Sequence, residues 1–106
     1  MKIYISLPIS GRDIEAVKAE INMAKVTLKE LGYSSVSPLE IEHKSTDYYT
    51  ILGEDITEIL RCDGIYLCKG WVFSNGCNTE YEIAKQWGKK ILSYDDIKIR
   101  QTCDSH

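Results

Sequence analysis

The sequence predicts an α/β fold: one domain over residues 1–106, built as a three-layer sandwich with a mainly parallel sheet of four or five strands. Short apolar runs that end at glycine or proline alternate with longer stretches whose apolar residues recur at intervals of three and four. That alternation of strand and helix continues along nearly the whole chain. A length of 106 residues holds one compact domain, and 43% hydrophobic against 27% charged residues supply a core of ordinary size.

Lys2 to Leu7 is an apolar run ending at Pro8, and Ile9-Ser10-Gly11 leads to the acidic start Asp13-Ile14-Glu15, which reads as strand, loop and helix N-terminus. Ile14, Val17, Ile21, Ala24, Leu28 and Leu31 then mark one face of a helix that stops at Gly32. Tyr33 to Ser37 returns as a second strand before Pro38. Glu40 to Asp47 has no period and reads as a loop. Tyr48, Ile51, Leu52, Ile56, Ile59 and Leu60 give a second helix starting near Asp47 or Tyr48. Ile65-Tyr66-Leu67 is the third strand, and the polar stretch from Lys69 to Asn78 separates it from a third helix over roughly Thr79 to Trp87. Gly88 ends that helix, and Lys89 to Leu92 opens a fourth strand. Residues 95–106 read as a tail or a subunit contact, with Ile97-Lys98-Ile99 as a candidate last strand. Such an order gives a Rossmann-like arrangement with helices on both faces. Ligands of such sheets bind beyond the carboxyl ends of the strands, which points to the loops Leu7 to Arg12, Ser37 to Tyr48 and Lys69 to Asn78.

Thirteen Lys and Arg against sixteen Asp and Glu leave a net charge of -3 with no basic run, which disfavours polymeric nucleic acid and acidic membranes as partners. No apolar stretch approaches the roughly 18 residues of a membrane span, and no signal-peptide layout is present, so a cytoplasmic location is expected. Cys62, Cys68, Cys77 and Cys103 form no CxxC pair, and neither His43 nor His106 stands at zinc-finger spacing from them. They read as thiols, with no metal site implied.

The first loop lacks both GxGxxG and GxxxxGK[ST], the signatures of dinucleotide and P-loop triphosphate sites. Its amides and Arg12 suit either a phosphate at a helix N-terminus or an ordinary helix start with an exposed arginine. The stretch Gly70 to Glu82 combines aromatic, hydroxyl, amide and carboxylate groups at a strand-to-helix junction. Thr79 with Glu82 fits a capping box, which places Glu80 at the first helical position, where the dipole favours its anion. Such a carboxylate is either a first-turn acid or one that attacks the anomeric carbon of a sugar, as in retaining glycosidases. Asp55 and Asp63 are candidates for proton transfer or for solvated caps. Cys77, near the same helix start, is a candidate thiolate or a buried filler, and His43 a ligand contact or a surface histidine. Trp71 and Phe73 suit stacking on a base as well as a place in a core or interface.

These motifs together resemble the nucleoside 2-deoxyribosyltransferase-like superfamily, in particular its small phage and bacterial branch. The resemblance rests on the start MKIYISLPISG, on D-I-x-x-I-L-x-C-D-G-I-Y-L, G-W-x-x-S-x-G and E-x-x-I-A, in the family order, and spans roughly Met1 to Leu92. It implies cleavage of the N-glycosidic bond of a 2'-deoxynucleoside or its monophosphate, with Glu80 attacking C1', Asp55 orienting the sugar or moving a proton, and Tyr4 beside the nucleophile. Ser74 is similar to a serine that contacts phosphate, and Gly11 and Arg12 occupy the comparable phosphate loop. Ser6, Pro8, Gly70, Trp71 and Gly76 complete the implied substrate-binding set. No cofactor is implied, and a homodimer or higher homo-oligomer is. One departure stands out: family enzymes continue E-x-G-x-A, whereas this chain has Glu80-Tyr81-Glu82-Ile83-Ala84, which puts bulk and charge near the implied site. The alternative to catalysis is a nucleotide-binding or sensing domain that uses the same pocket, and a third reading is a homo-oligomeric structural protein.

Overall fold

The computed structural model describes residues 1–96; the candidate strand Ile97-Lys98-Ile99, Cys103 and most of the expected tail lie outside the described residues. The elements follow in the order β1 (Lys2–Ser6), α1 (Ile14–Glu30), β2 (Ser34–Val36), a short 3-10 turn (Pro38–Glu40), α2 (Tyr48–Arg61), β3 (Gly64–Leu67), a second 3-10 turn (Trp71–Phe73), α3 (Asn75–Gln86) and β4 (Lys90–Ser93). The four strands pair in parallel in the order β2-β1-β3-β4. This is the predicted α/β sandwich, with four strands in the sheet among the described residues.

The layers follow from the strand period of two. Ile3, Ile5 and Leu7 point to one face, where they pack with Val17, Ile21, Ala24 and Leu28 of α1 and with Tyr66, Cys68 and Leu92. Tyr4, Ile65 and Leu67 point to the other, against Ile59 of α2 and Ala84 of α3. Each large apolar side chain removed from water contributes about 1.5–3 kcal/mol.

Local chemistry sets the helix ends. The Asp13 carboxylate caps α1 by accepting from the Ala16 amide, and Asp47 caps α2 by accepting from the Thr50 amide. At the end of α1 the Tyr33 amide donates to the Leu28 carbonyl and the Gly32 amide to that of Lys29. That closure needs a left-handed residue, which Gly32 supplies with φ +88°.

The third helix corrects the sequence expectation. It starts one turn earlier, at Asn75, because the Ser74 hydroxyl caps it by accepting from the Cys77 amide at 3.3 Å. The expected Thr79–Glu82 capping box is not formed: Thr79 lies inside the helix and its hydroxyl donates to the Asn75 carbonyl. Glu80 therefore stands in the second turn rather than at the first position.

Because β2 and β3 flank β1 on opposite sides, the chain leaves β1 and β3 in different directions, and a crevice opens at their carboxyl ends.

Candidate active site

A cavity of about 660 Å³ occupies this crevice. All three loops named from the sequence reach it: Leu7 to Ser10 after β1, Pro38, Leu39 and His43 after β2, and Phe73 to Cys77 after β3. The sheet contributes Tyr4, and the helices contribute Tyr48, Ile51, Leu52, Asp55 and Glu80.

Glu80 is the best-held group in the cavity. Its side chain is almost fully buried, at 4% exposure, and both carboxylate oxygens are occupied. The Tyr4 hydroxyl donates to Oε2 at 2.8 Å and the Ser6 hydroxyl to Oε1 at 2.8 Å. Tyr4 and Ser6 point the same way because they stand two apart on β1. Burial pushes the Glu80 carboxyl up to about 7, and the nearby Asp55 charge adds to that rise, while the Ser6 and Tyr4 hydrogen bonds oppose it. The anion is thus held by two hydroxyl donors and not by the helix N-terminus, as the position in the second turn requires.

Asp55 faces the same cavity from α2 and is 8% exposed. Its Oδ1 meets Nε2 of His43 at 2.9 Å. Burial raises the Asp55 carboxyl above its ordinary value, and the His43 contact opposes that shift. Tyr4 feels both carboxylates, and burial with those charges lifts its phenol far above the ordinary range, so it stays a donor.

The other expected residues divide. Pro8, Ser74 and Gly76 line the cavity. At Gly76 a Cβ would stand 3.2 Å from the Tyr48 hydroxyl, so a side chain there would crowd the wall. Ser6 acts behind the wall, through Glu80. Gly11 and Arg12 lie outside the lining, and the Arg12 guanidinium is occupied by the Pro8 carbonyl and an ion pair with Glu20. Gly70 and Trp71 are outside it too. The Trp71 ring packs on Tyr81, with centroids 5.0 Å apart, and half-buried it lies against the edge of the core beneath α3. Phe73 lines the mouth instead, 91% exposed.

Three further expectations change. Asp63 accepts from the Lys2 amide at 2.8 Å and takes no part in the cavity. Cys77 lines the cavity, but burial raises its thiol, so the helix start does not yield a thiolate. Glu82 is exposed and outside the lining, because a residue two positions after Glu80 points to the other side of the helix. Its bulk and charge leave the site untouched. The His43–Asp55 contact went unpredicted, since it joins a loop to a helix across twelve residues of sequence. Among the described residues no group of three or more His, Cys, Asp or Glu could hold a metal ion. No helix there is long and apolar enough to cross a membrane.

Residues 1–93 match the family described as Domain of unknown function (DUF4406). The chain belongs to this family. No curated protein sequence matches it. Among solved structures, the DUF4406 chain is similar to a CMP N-glycosidase, BcmB, of Clostridium botulinum, at 21% identity over 88% of this chain and 70% of that one, with a TM-score of 0.61. It is similar also to a 2-deoxyribosyltransferase of Bacillus psychrosaccharolyticus, at 22% identity over 88% and 71%, with a TM-score of 0.65. At these identities the likeness shows a shared fold.

Proposed function

We propose that this DUF4406 protein cleaves the N-glycosidic bond of a 2'-deoxynucleoside or its monophosphate, by hydrolysis or by deoxyribosyl transfer, with Glu80 as nucleophile. The observation that carries the reading is the buried Glu80 carboxylate, fixed by Tyr4 and Ser6 in a cavity that also holds Asp55. The names of the two similar structures, a CMP N-glycosidase and a 2-deoxyribosyltransferase, support N-glycosidic chemistry, and the second also supports a 2-deoxy sugar.

In this reading Glu80 attacks C1' and the C1'–N bond breaks, its electron pair passing to the base. Asp55 binds the sugar or gives the proton that the departing base takes up. Water then releases the free sugar, or a second base takes the deoxyribosyl group, and Glu80 recovers its charge. Tyr4 and Ser6 keep the carboxylate aimed, Pro8, Ser74 and Gly76 form binding walls, and Phe73 offers its ring to the base. No cofactor enters these steps. A homodimer or larger homo-oligomer would cover the apolar rim of the cavity.

The test is chromatographic detection of free base from a panel of 2'-deoxynucleosides and their monophosphates, with and without a second base, for the wild-type chain and Glu80→Ala. Base release or exchange that disappears in the variant is the expected result. A folded wild-type chain that binds members of the panel yet releases no base would make this a nucleotide-binding or sensing domain instead.

A further inference from the structure

The two carboxylates in the cavity are held by different chemistry. Glu80 receives two hydroxyl donors, whereas Asp55 faces an imidazole, with His43 Nε2 2.9 Å from Oδ1. No Lys or Arg lines the cavity among the described residues, so His43 is the basic side chain nearest the two acids there. The loop that carries it is fastened to α2 beside the contact, because the Lys44 amide donates to Oε2 of Glu54, the neighbour of Asp55. Farther along, the Ser45 hydroxyl accepts from the Asp47 amide, and Asp47 caps α2. His43 and Asp55 are therefore presented to the cavity as one unit.

We propose that His43 is a positioning residue for glycosidic cleavage: its Nε2–H holds Oδ1 of Asp55, so that Oδ2 carries the proton handed to the departing base. This inference rests on the glycosidase reading above and assigns the acid within it. The proton balance is complete without another reactant. As the Glu80 oxygen bonds to C1' and the C1'–N bond breaks, the pair left on the base nitrogen takes the Oδ2 proton. Asp55 becomes a carboxylate that still accepts from Nε2–H, and this donor makes the acid stronger at the moment of transfer. When water attacks C1' and the bond to Glu80 breaks, its proton returns to Oδ2. The groups that face Asp55 are His43 from the loop, Tyr4 from β1, Glu80 from α3 and Glu54 on its own helix. His43 is the member of that set that carries a nitrogen donor.

The experiment compares two leaving groups in the wild-type chain, His43→Ala and His43→Gln. A natural 2'-deoxynucleoside needs its base protonated, whereas 4-nitrophenyl 2-deoxyriboside releases an anion stable without a proton. For His43→Ala the expected loss in kcat on the nucleoside is roughly tenfold to a hundredfold, part of what a general acid contributes, with KM little changed. The nitrophenyl substrate should lose less than about threefold, because proton transfer no longer limits it. His43→Gln keeps an N–H donor at a similar reach and should recover most of the rate, while the alkaline limb of the pH profile moves up in the alanine variant alone. Equal losses on both substrates, or no loss on either, would overturn the role of His43 and leave the glycosidase reading standing. A folded wild-type chain inactive on both substrates would overturn both.

Discussion

The two faces of β1 do different work. On one, Ile3 and Ile5 meet Val17, Ile21 and Leu28 of α1 in an apolar contact. On the other, Tyr4 and Ser6 meet a carboxylate of α3. A strand alternates its side chains, so a single five-residue segment serves both a core and a cavity. The difference teaches where stability can be given up. The α1 face is held mainly by apolar burial, with Lys25 adding a hydrogen bond to the Ser35 carbonyl, and the α2–α3 face tolerates two acids in a low-dielectric setting because it does not have to supply the whole core.

The sharpest break in the comparison is Glu80→Gln, which keeps shape and removes the nucleophilic charge. Base release should fall by on the order of a thousandfold or more, while the circular dichroism spectrum stays unchanged. Full activity in the variant would remove Glu80 from the chemistry. On the opposite face, Leu28→Ala leaves a cavity under α1 and should cost about 2–5 kcal/mol in urea unfolding. Turnover per folded molecule should be unaltered, since α1 contributes nothing to the cavity lining.

Next in size is the pH dependence of stability. The Glu80 carboxyl titrates near 7 in the folded chain against 4.5 for an ordinary glutamate, so between these values the folded state binds more protons than the unfolded one. The stability tied to the protonated form is complete below pH 4.5 and is lost as the pH rises through 7. Over that interval the loss amounts to roughly 3 kcal/mol. Glu80→Gln carries no charge and should flatten this slope, which makes the variant more stable than wild type at pH 8 and not at pH 4. Urea midpoints at the two pH values check the sign. A wild-type chain that gained stability from pH 5 to 8 relative to the variant would show that Glu80 is better solvated than its burial implies.

The α1 face was the more legible of the two in the sequence. Its periodicity, caps and terminal glycine are local signals, and the strands announce themselves by short apolar runs. The start of α3 was obscured because two capping residues compete: Thr79 has a glutamate three residues on, whereas Ser74 is followed by Asn75 and Gly76, which favour turns. Only the folded chain shows that Ser74 prevails. Glu80 was singled out from an expected place at a helix start that the fold does not give it, and the resemblance supplied its role; the two hydroxyls from β1 that hold it span more than seventy residues of sequence. The contact between His43 and Asp55, each already a candidate by itself, was hidden for the same reason, since a loop path without periodicity decides their meeting. For Arg12 the sequence left a phosphate contact and an ordinary helix start both open, because it does not show that Glu20, two turns along α1, pairs with the guanidinium.

Trp71 and Phe73 gave the sequence no means to choose between them, and here the smallest effect makes the finest test. Both belong to one 3-10 turn, in which three residues complete a revolution, so side chains two apart point in different directions. Trp71 turns inward onto Tyr81, and Phe73 turns out over the cavity mouth. Phe73→Ala removes almost no buried surface and should change stability by no more than about 0.5 kcal/mol. A ring that stacks on a nucleobase is worth roughly 1–3 kcal/mol, so the same variant should raise KM about tenfold with kcat nearly constant. Trp71→Ala should do the reverse, lowering the urea midpoint by the roughly 1–3 kcal/mol expected for a half-buried aromatic at the edge of the core, before it touches KM. If the two variants exchanged these signatures, the base would lie toward Trp71, and the outward turn of Phe73 would have no part in recognition.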